Sequence, residues 1–193
     1  MGQPGFADVS VIIPAYRAAR TIGRALASVA AQSLKPMEAV LVDDGSDDGT
    51  AEIAIGLAAE MNGVRLKVIQ QNNMGPGAAR NRALDEARCS WAAFLDADDE
   101  WMPEKLERSM ALLAETGVDL ISHNLEICRD GDVGIIDCAR HFQASTNPLV
   151  SYFLRGYIAT STVVARRDLL TRVGGFDAGL RSGQDYELWL RII

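Results

Sequence analysis

Short apolar runs alternate with amphipathic segments through the first half of this chain. Runs of five or six mostly apolar residues that end at a proline, an acidic loop or a polar loop predict strands, of which the first and the last are expected to be buried. These runs are Val9–Ile13, Glu38–Val42, Val64–Ile69 and Trp91–Leu95. The segments between them predict helices at Thr21–Gln32, Thr50–Met61 and Ala78–Arg88. Strands that alternate with helices predict a parallel sheet with right-handed crossovers.

The second half of the chain has a less regular pattern. It predicts helices and strands of mixed length, separated by loops. The helices are Pro103–Glu115, Asn147–Leu154, Arg167–Val173 and one that begins at Asp185, and the strands are Asp119–Asn124 and Thr162–Ala165. Asp130–Asp132 predicts a turn, and Thr50 is expected to cap its helix.

A polar cluster follows each predicted strand of the first half. The clusters are Pro14–Tyr16, Asp43–Asp44, Asn72–Asn73 and Asp96–Asp98. The carboxyl ends of parallel strands meet at one edge of a sheet, where ligands bind in open α/β folds. Loops that merely turn the chain would be expected at both edges. The four clusters therefore predict one ligand site at that edge.

The segment Asp96–Asp98 is the strongest candidate for metal chemistry. In an extended chain both carboxylates point to the same side, and a hard divalent cation between them relieves their repulsion. A solvated acidic loop that caps the helix near Pro103 is the alternative. A calcium loop is disfavoured, because its sixth position holds Trp101 where glycine is required.

Composition narrows the class of protein. The chain has 193 residues, 48% of them hydrophobic, which suits one domain with a substantial core. A net charge of −7 makes nucleic acid an unexpected partner. The three cysteines lack metal-ligand spacing, and residues Met1–Asp8 do not resemble a signal peptide, so we expect reduced thiols in a cytoplasmic protein. Neither a P-loop nor a dinucleotide-binding glycine pattern is present.

Five motifs together resemble glycosyltransferase family 2, in the family's order and over nearly the whole chain. The motifs are Val11–Tyr16, Val42–Ser46, Asn73–Asn81, Leu95–Asp99 and Gly183–Arg191. The resemblance implies a single GT-A domain, a Rossmann-like α/β/α sandwich. It also implies inverting transfer of a sugar from a nucleotide diphosphate, UDP being the expected nucleotide, with Mg²⁺ or Mn²⁺. Residues 1–100 would form the nucleotide-binding half and residues 101–193 the acceptor-side half.

The resemblance assigns roles on the donor side to eight residues. Pro14, Ala15 and Tyr16 would line the base pocket. One carboxylate of Asp43 and Asp44, with Asp44 favoured, would accept a hydrogen bond from the base. Arg80 would lie near the base and diphosphate, Asp96 would contact the ribose or the metal through water, and Asp98 would ligate the metal. Each residue has a structural alternative: a strand-ending turn with a core aromatic, a helix or turn cap, or a surface arginine.

Asp185 would be the catalytic base of the same scheme, which takes the proton of the acceptor hydroxyl. A role as a plain helix cap is the alternative. The preceding Gln184 departs from the family, where glutamate is frequent at this position. Trp101 and Phe176 are candidates for stacking on a sugar or for the core, whereas Trp189 is expected in the core.

Two other functions stay open from the sequence. One is a catalytically silent nucleotide-sugar binding module, which would have no use for Asp185 as a base. The other is a nucleotidyltransferase, which the absence of glycine after the first strand disfavours. The acceptor would be a sugar, a lipid-linked sugar or another hydroxyl. Because family members usually continue beyond the equivalent of Ile193, we expect a truncated acceptor side, and segments beyond it that could attach the protein to the inner face of a membrane.

Overall fold

The computed structural model describes residues 5–129, 132–143 and 146–193. The strands are β1 (Phe6–Ala15), β2 (Lys35–Asp43), β3 (Arg65–Gln70), β4 (Trp91–Phe94), β5 (Leu120–Ile121), β6 (Leu125–Arg129), β7 (Asp132–Ile136) and β8 (Val164–Arg166). Six of them form a central sheet with the order β3-β2-β1-β4-β8-β5, and β6 and β7 form a separate hairpin.

Eight α-helices accompany the strands in the described ranges. They are α1 (Ile22–Ala30), α2 (Thr50–Gly56), α3 (Pro76–Glu86), α4 (Lys105–Thr116), α5 (Cys138–Gln143), α6 (Pro148–Arg155), α7 (Arg167–Arg172) and α8 (Gln184–Ile192). Two 3-10 turns, Leu57–Glu60 and Thr160–Thr162, continue α2 and precede β8.

The sheet separates two apolar layers, as the alternation of side chains along β1 requires. Val11 and Ile13 belong to the layer that contains the buried residues of α1, whereas Ile12 packs in the layer with α3 and α8. Phe94 of β4 lies in this second layer and makes edge contacts with Phe176 and Trp189. The mostly parallel α/β/α sandwich expected from the sequence is confirmed.

The first half of the chain follows the predicted alternation closely. Strands β1 to β4 are parallel to one another. Helix α3 begins at Pro76 rather than Ala78, because proline suits the first position of a helix. Thr50 does not cap α2 as expected: Gly49 occupies the cap position, and the Thr50 N–H donates to Asp48 Oδ1 at 3.1 Å.

The second half departs more from expectation. Strand β8 runs antiparallel to both β4 and β5, and Thr162 belongs to the 3-10 turn before it. The predicted strand at Asp119–Asn124 shortens to β5. The exposed hairpin β6–β7 and helix α5 were not predicted, because they bury too little apolar surface to leave a periodic pattern. In the predicted turn, Asp130 and Gly131 lie outside the described residues, and Asp132 begins β7.

Candidate active site

A cleft of about 930 Å³ opens at the carboxyl ends of β1, β2 and β4. The parallel register places Pro14 beside Val42 and Ile12 beside Phe94, so the segments after these strands emerge together. Most of the residues predicted for the donor side line this cleft. They are Pro14, Ala15, Tyr16, Asp44, Arg80, Asp96 and Asp98.

Asp43 and Asp44 have different surroundings. Asp43 is 1% exposed, and its Oδ1 accepts hydrogen bonds from the backbone N–H and the hydroxyl of Ser46. Asp44 lines the cleft, where its carboxylate accepts the N–H groups of Met74 at 2.9 Å and Gly75 at 2.8 Å. Asp44 therefore ties the loop before α3 to the end of β2, while one of its faces borders the cleft.

The loop after β2 packs tightly against the loop after β3. Gly45 has φ +79°, and a Cβ there would lie 2.9 Å from the backbone nitrogen of Asn73. Only glycine accommodates both that conformation and that approach. The close packing explains how Asp44 and Asn73 come to border the same cleft.

Tyr16 and Arg17 form the outer lip of the cleft. Tyr16 is 49% exposed, so it is not the core aromatic that the alternative interpretation required. The Arg17 guanidinium lies 5.4 Å from the centre of the Tyr16 ring and pairs with Asp47 at 2.9 Å. The Tyr16 ring is thus held at the surface, where it can stack on a planar ligand.

Arg80 is the cation at the base of the cleft. Its side chain is 6% exposed, and Nη2 donates to Asp96 Oδ1 at 2.6 Å. The guanidinium also lies 5.4 Å from the Phe176 ring centre. Nε and Nη1 are buried and have no hydrogen-bond partner among the described residues. A buried guanidinium with two unused donors is suited to an anionic ligand.

The acidic segment after β4 is crowded. Desolvation raises the pKa of the Asp99 carboxyl; a hydrogen bond from Ser161 opposes this effect, and the charges of Asp96 and Asp98 add to it. Asp98 is exposed on the cleft, and one oxygen of Asp96 is already occupied by Arg80. Within the described residues, no group of three or more His, Cys, Asp or Glu side chains forms a ready-made metal site. One or two carboxylates fit Mg²⁺ or Mn²⁺, which complete their coordination with substrate phosphates and water.

Asp185 lies in the first turn of α8 and not in the lining of the cleft. Gly183 occupies the cap position of that helix, with φ +70°. Asp185 Oδ1 accepts the N–H of Tyr186 at 2.8 Å, and Oδ2 accepts the hydroxyl of Thr160 at 2.9 Å. The carboxylate is therefore oriented from two sides, which is more than a helix cap requires.

The buried 3-10 turn Thr160–Thr162 was missed at the sequence level. Ser161 Oγ accepts the N–H of Asp96 at 3.0 Å, and its carbonyl accepts Trp101 Nε1 at 3.0 Å. Thr160 bonds to Asp185, as described above. The only sign of this turn in the sequence is a run of three small polar residues in an apolar context. This turn connects the acidic segment to Asp185.

Two further outcomes concern the cleft walls. Residues 178–181 line the cleft and include Arg181, which the sequence analysis did not single out. Trp101 and Phe176 are 7% and 2% exposed, so both belong to the core rather than to a sugar platform. Trp189 is buried, as expected.

No helix in the part of the chain that the structure describes is long and apolar enough to cross a membrane.

The mostly parallel sheet, with an acidic segment at its carboxyl edge, has the architecture of the GT-A fold. The sequence profile described as "Glycosyl transferase family 2" matches residues 10–181. The chain belongs to glycosyl transferase family 2. Asp185 lies just beyond the matched residues.

Two curated relatives illustrate this kinship. The chain is 34% identical to succinoglycan biosynthesis protein ExoU of Rhizobium meliloti, over 96% of this chain and 57% of that protein. It is 30% identical to UDP-Glc:alpha-D-GlcNAc-diphosphoundecaprenol beta-1,3-glucosyltransferase WfgD of Escherichia coli, over 96% of this chain and 69% of that protein. The chain spans little more than half the length of several relatives.

Solved structures show the same fold. S. aureus TarS 1-349 in complex with UDP-GlcNAc matches 95% of this chain and 52% of its own, with 29% identity and a TM-score of 0.78. Mannosyltransferase PcManGT from Pyrobaculum calidifontis, in complex with GDP-Man and Mn²⁺, matches 94% of this chain and 50% of its own, with 25% identity and a TM-score of 0.71. Both solved structures therefore share the fold of this chain.

Proposed function

We propose that this chain transfers a sugar, with inversion, from a nucleotide diphosphate sugar to an acceptor hydroxyl. The observation that carries the proposal is the cleft in which Asp44, Arg80 and Asp98 converge, with two buried Arg80 donors unpaired. Asp44 and Tyr16 border the part of the cleft that we assign to the base. Arg80 and Asp98 border the part that we assign to the diphosphate. A UDP-sugar is the favoured donor, and the complex of TarS with UDP-GlcNAc supports this choice.

We propose that Asp98 holds Mg²⁺ or Mn²⁺ together with the diphosphate, with Asp96 nearby. The metal would supply Lewis-acid stabilisation of the charge that develops on the leaving diphosphate. Arg80 would bind the same charge from the protein side, because its unpaired N–H groups gain partners only when an anion is present. The Asp96 carboxylate fixes the guanidinium in place through Nη2.

We assign the role of general base to Asp185. The acceptor oxygen attacks the anomeric carbon, while the bond from that carbon to the diphosphate oxygen breaks and its electron pair leaves with the diphosphate. The proton of the acceptor hydroxyl passes to Asp185. The hydrogen bonds from Thr160 and Tyr186 keep the carboxylate oriented for this step. Attack from the face opposite the leaving group gives inversion.

The acceptor is inferred from the names of two relatives. The names of ExoU and WfgD support a role in the synthesis of cell-surface polysaccharide or glycoconjugate. The name of WfgD also includes alpha-D-GlcNAc-diphosphoundecaprenol, which is a lipid-linked sugar. We therefore propose a sugar acceptor, either free or lipid-linked, and peripheral association with the membrane that carries the lipid-linked form.

Calorimetric titration tests the donor half of the proposal. The chain would be titrated with UDP, dTDP, GDP and CDP, each with Mn²⁺ and with chelator. We expect one pyrimidine diphosphate to bind in a metal-dependent manner. The matching sugar donor should then be hydrolysed slowly, which a catalytically silent binding module would not do. A folded sample that binds none of the four would contradict the proposal.

A further inference from the structure

Consecutive residues of the chain pass from the lining of the donor cleft to the lining of a second cavity. Asp98 lines the cleft, and the next residue, Asp99, lines this cavity of about 850 Å³. Helix α4, strand β5 and the hairpin β6–β7 surround the cavity. We call it the α4 cavity. A hexose would fill only part of this volume.

Lys105 in the wall of the α4 cavity is a buried cation without a hydrogen bond. The residue is 6% exposed, and its Nζ has no partner among the described residues. The ammonium lies 3.9 Å from the centre of the Trp101 ring, which is its one specific contact. A cation–π contact offsets only part of the cost of removing an ammonium from water.

His123 places a second basic nitrogen in the same wall. Its Nε2 is buried and has no hydrogen-bond partner in the described part of the chain, whereas Nδ1 lies 2.7 Å from the carbonyl of Asn124. Burial lowers the pKa of His123, and the charge of Lys105 lowers it further. A neutral His123 therefore carries its hydrogen on Nδ1, which donates to the Asn124 carbonyl, and leaves Nε2 as an acceptor.

The acidic residues at the rim of the α4 cavity do not neutralise this pair. Glu100 pairs with Arg24 at 3.2 Å, and Glu104 pairs with Arg108 at 2.5 Å. Asp99 and Glu126 also line the cavity. Among the described residues, neither of them forms an ion pair with Lys105 within 4 Å. An anion is the ligand that would give the Lys105 ammonium a partner.

We propose that the α4 cavity binds an anionic group of the acceptor, a phosphate or a carboxylate, through Lys105. The inference rests on the proposed transferase function. The Lys105 ammonium is buried in the wall of the cavity, so we expect its side chain to turn from the Trp101 ring when the anion enters. The apolar walls, which include Leu112, Ile121 and Leu125, receive the uncharged part of the same ligand.

The position of the α4 cavity suits an acceptor. Ala159, Ser161 and Thr162 form part of its wall, and Thr160 between them bonds to Asp185. Ser161 also accepts the N–H of Asp96. The wall of the α4 cavity therefore includes the two neighbours of Thr160, the residue that bonds to Asp185, and Ser161, which bonds to the acidic segment.

Tryptophan fluorescence of the whole chain, with chelator present, tests the site without any transfer reaction. The probes are inorganic phosphate and pyrophosphate in one arm, and acetate and glucuronate in the other. Because Lys105 lies on the Trp101 ring, we expect a saturable change in emission that Trp101→Phe abolishes. Tighter binding in the phosphate arm would indicate a phosphate-linked acceptor, and tighter binding in the carboxylate arm an acidic sugar.

Lys105→Met and Arg108→Met provide the matched comparison. Both remove one positive charge from the cavity lining, but the Arg108 side chain is 80% exposed. We expect Lys105→Met to bind the anion at least ~10-fold more weakly and Arg108→Met to bind it nearly as the parent does. Equal affinity in the parent and Lys105→Met, or no saturable response from the parent, would overturn the inference.

Nucleotide titration separates this inference from the proposed function. Lys105→Met should bind the donor nucleotide with Mn²⁺ as the parent does, because Lys105 does not line the donor cleft. Nucleotide binding without Lys105-dependent anion binding would overturn the acceptor site alone. Failure of nucleotide binding in every variant would overturn the proposed function instead.

Discussion

The Thr160 hydroxyl donates a hydrogen bond of 2.9 Å to Asp185 Oδ2, across 25 residues of sequence. Thr160 is 3% exposed, and its neighbour Ser161 receives the N–H of Asp96. One buried turn therefore sets the position of Asp185 relative to the acidic segment. A geometry fixed in this way matters in catalysis, because small displacements of a reacting group reduce the rate steeply.

Thr160→Val should lower kcat by about 10-fold to 100-fold, the range expected for the loss of a hydrogen bond to a carboxylate. KM for the donor should change little, since Thr160 does not line the donor cleft. Thr160→Ser keeps the hydroxyl and should restore most of kcat. Steady-state kinetics of all three proteins provide the measurement. Equal loss in the valine and serine variants would indicate that the side chain acts through packing alone.

Asp185→Asn should lower the transfer rate by about 10²–10⁴-fold, the usual effect of removing a general base. Asparagine keeps the size of the side chain and can still accept the Thr160 hydroxyl, so the local structure should persist. Calorimetry should therefore give an unchanged affinity for the donor nucleotide. A parallel loss of nucleotide binding and transfer would assign Asp185 a structural role.

Asp98→Ala should remove the part of nucleotide binding that depends on Mn²⁺. The residue is exposed and makes no hydrogen bond that is needed for the fold in the described part of the chain, so thermal stability should hardly change. Titration of the matching nucleotide with Mn²⁺ and with chelator measures both components. Asp85→Ala, which removes an exposed acidic residue outside the cleft lining, is a control for net charge. Metal-dependent binding that survives in Asp98→Ala would exclude the residue as a ligand.

Arg80→Met should weaken binding of the nucleotide diphosphate by ~10-fold or more, because the guanidinium is the buried donor at the base of the cleft. Methionine retains the apolar contact with Phe176. Binding of the free nucleoside should be less affected, since it lacks the phosphates. A comparison of the two ligands by calorimetry therefore tests the assignment. Equal weakening of both would move Arg80 from the diphosphate to the base.

The sequence predicted the first four strands and their polar ends because long apolar runs and loop residues carry strong local signals. The pattern of residues alone does not distinguish Asp43 from Asp44, although the family resemblance favoured Asp44, because the difference arises from contacts with Ser46 and with Gly75. Strand β8 was assigned two residues too early at its start and one residue too early at its end, because the buried 3-10 turn before it was not recognised. Contacts between distant segments, such as Thr160 with Asp185, leave no periodic pattern in a single sequence.

The burial of Lys105 is the clearest feature that could not be predicted from the sequence. Position 105 opens α4, where a lysine normally extends into solvent, and only the packing against Trp101 reveals otherwise. Desolvation lowers the pKa of its ammonium from its ordinary value of 10.5 to about 7. Since the native state then binds fewer protons than the unfolded chain between these two values, this group contributes stability that rises with pH across that window. The cost of burying the charged form is fully present below about pH 7.

Lys105→Met should therefore raise the free energy of unfolding, by about 1–4 kcal/mol below pH 7. The gain should shrink as pH increases from about 7 towards 10.5, because over that range the native lysine is already mostly uncharged and the preference of the unfolded chain for the protonated form falls. Arg108→Met serves as the control, since its exposed pair with Glu104 contributes at most about 1 kcal/mol. Urea denaturation at several pH values measures both variants against the parent. A pH-independent gain would show that Lys105 has the same pKa in the native and unfolded states, so that its ammonium reaches water.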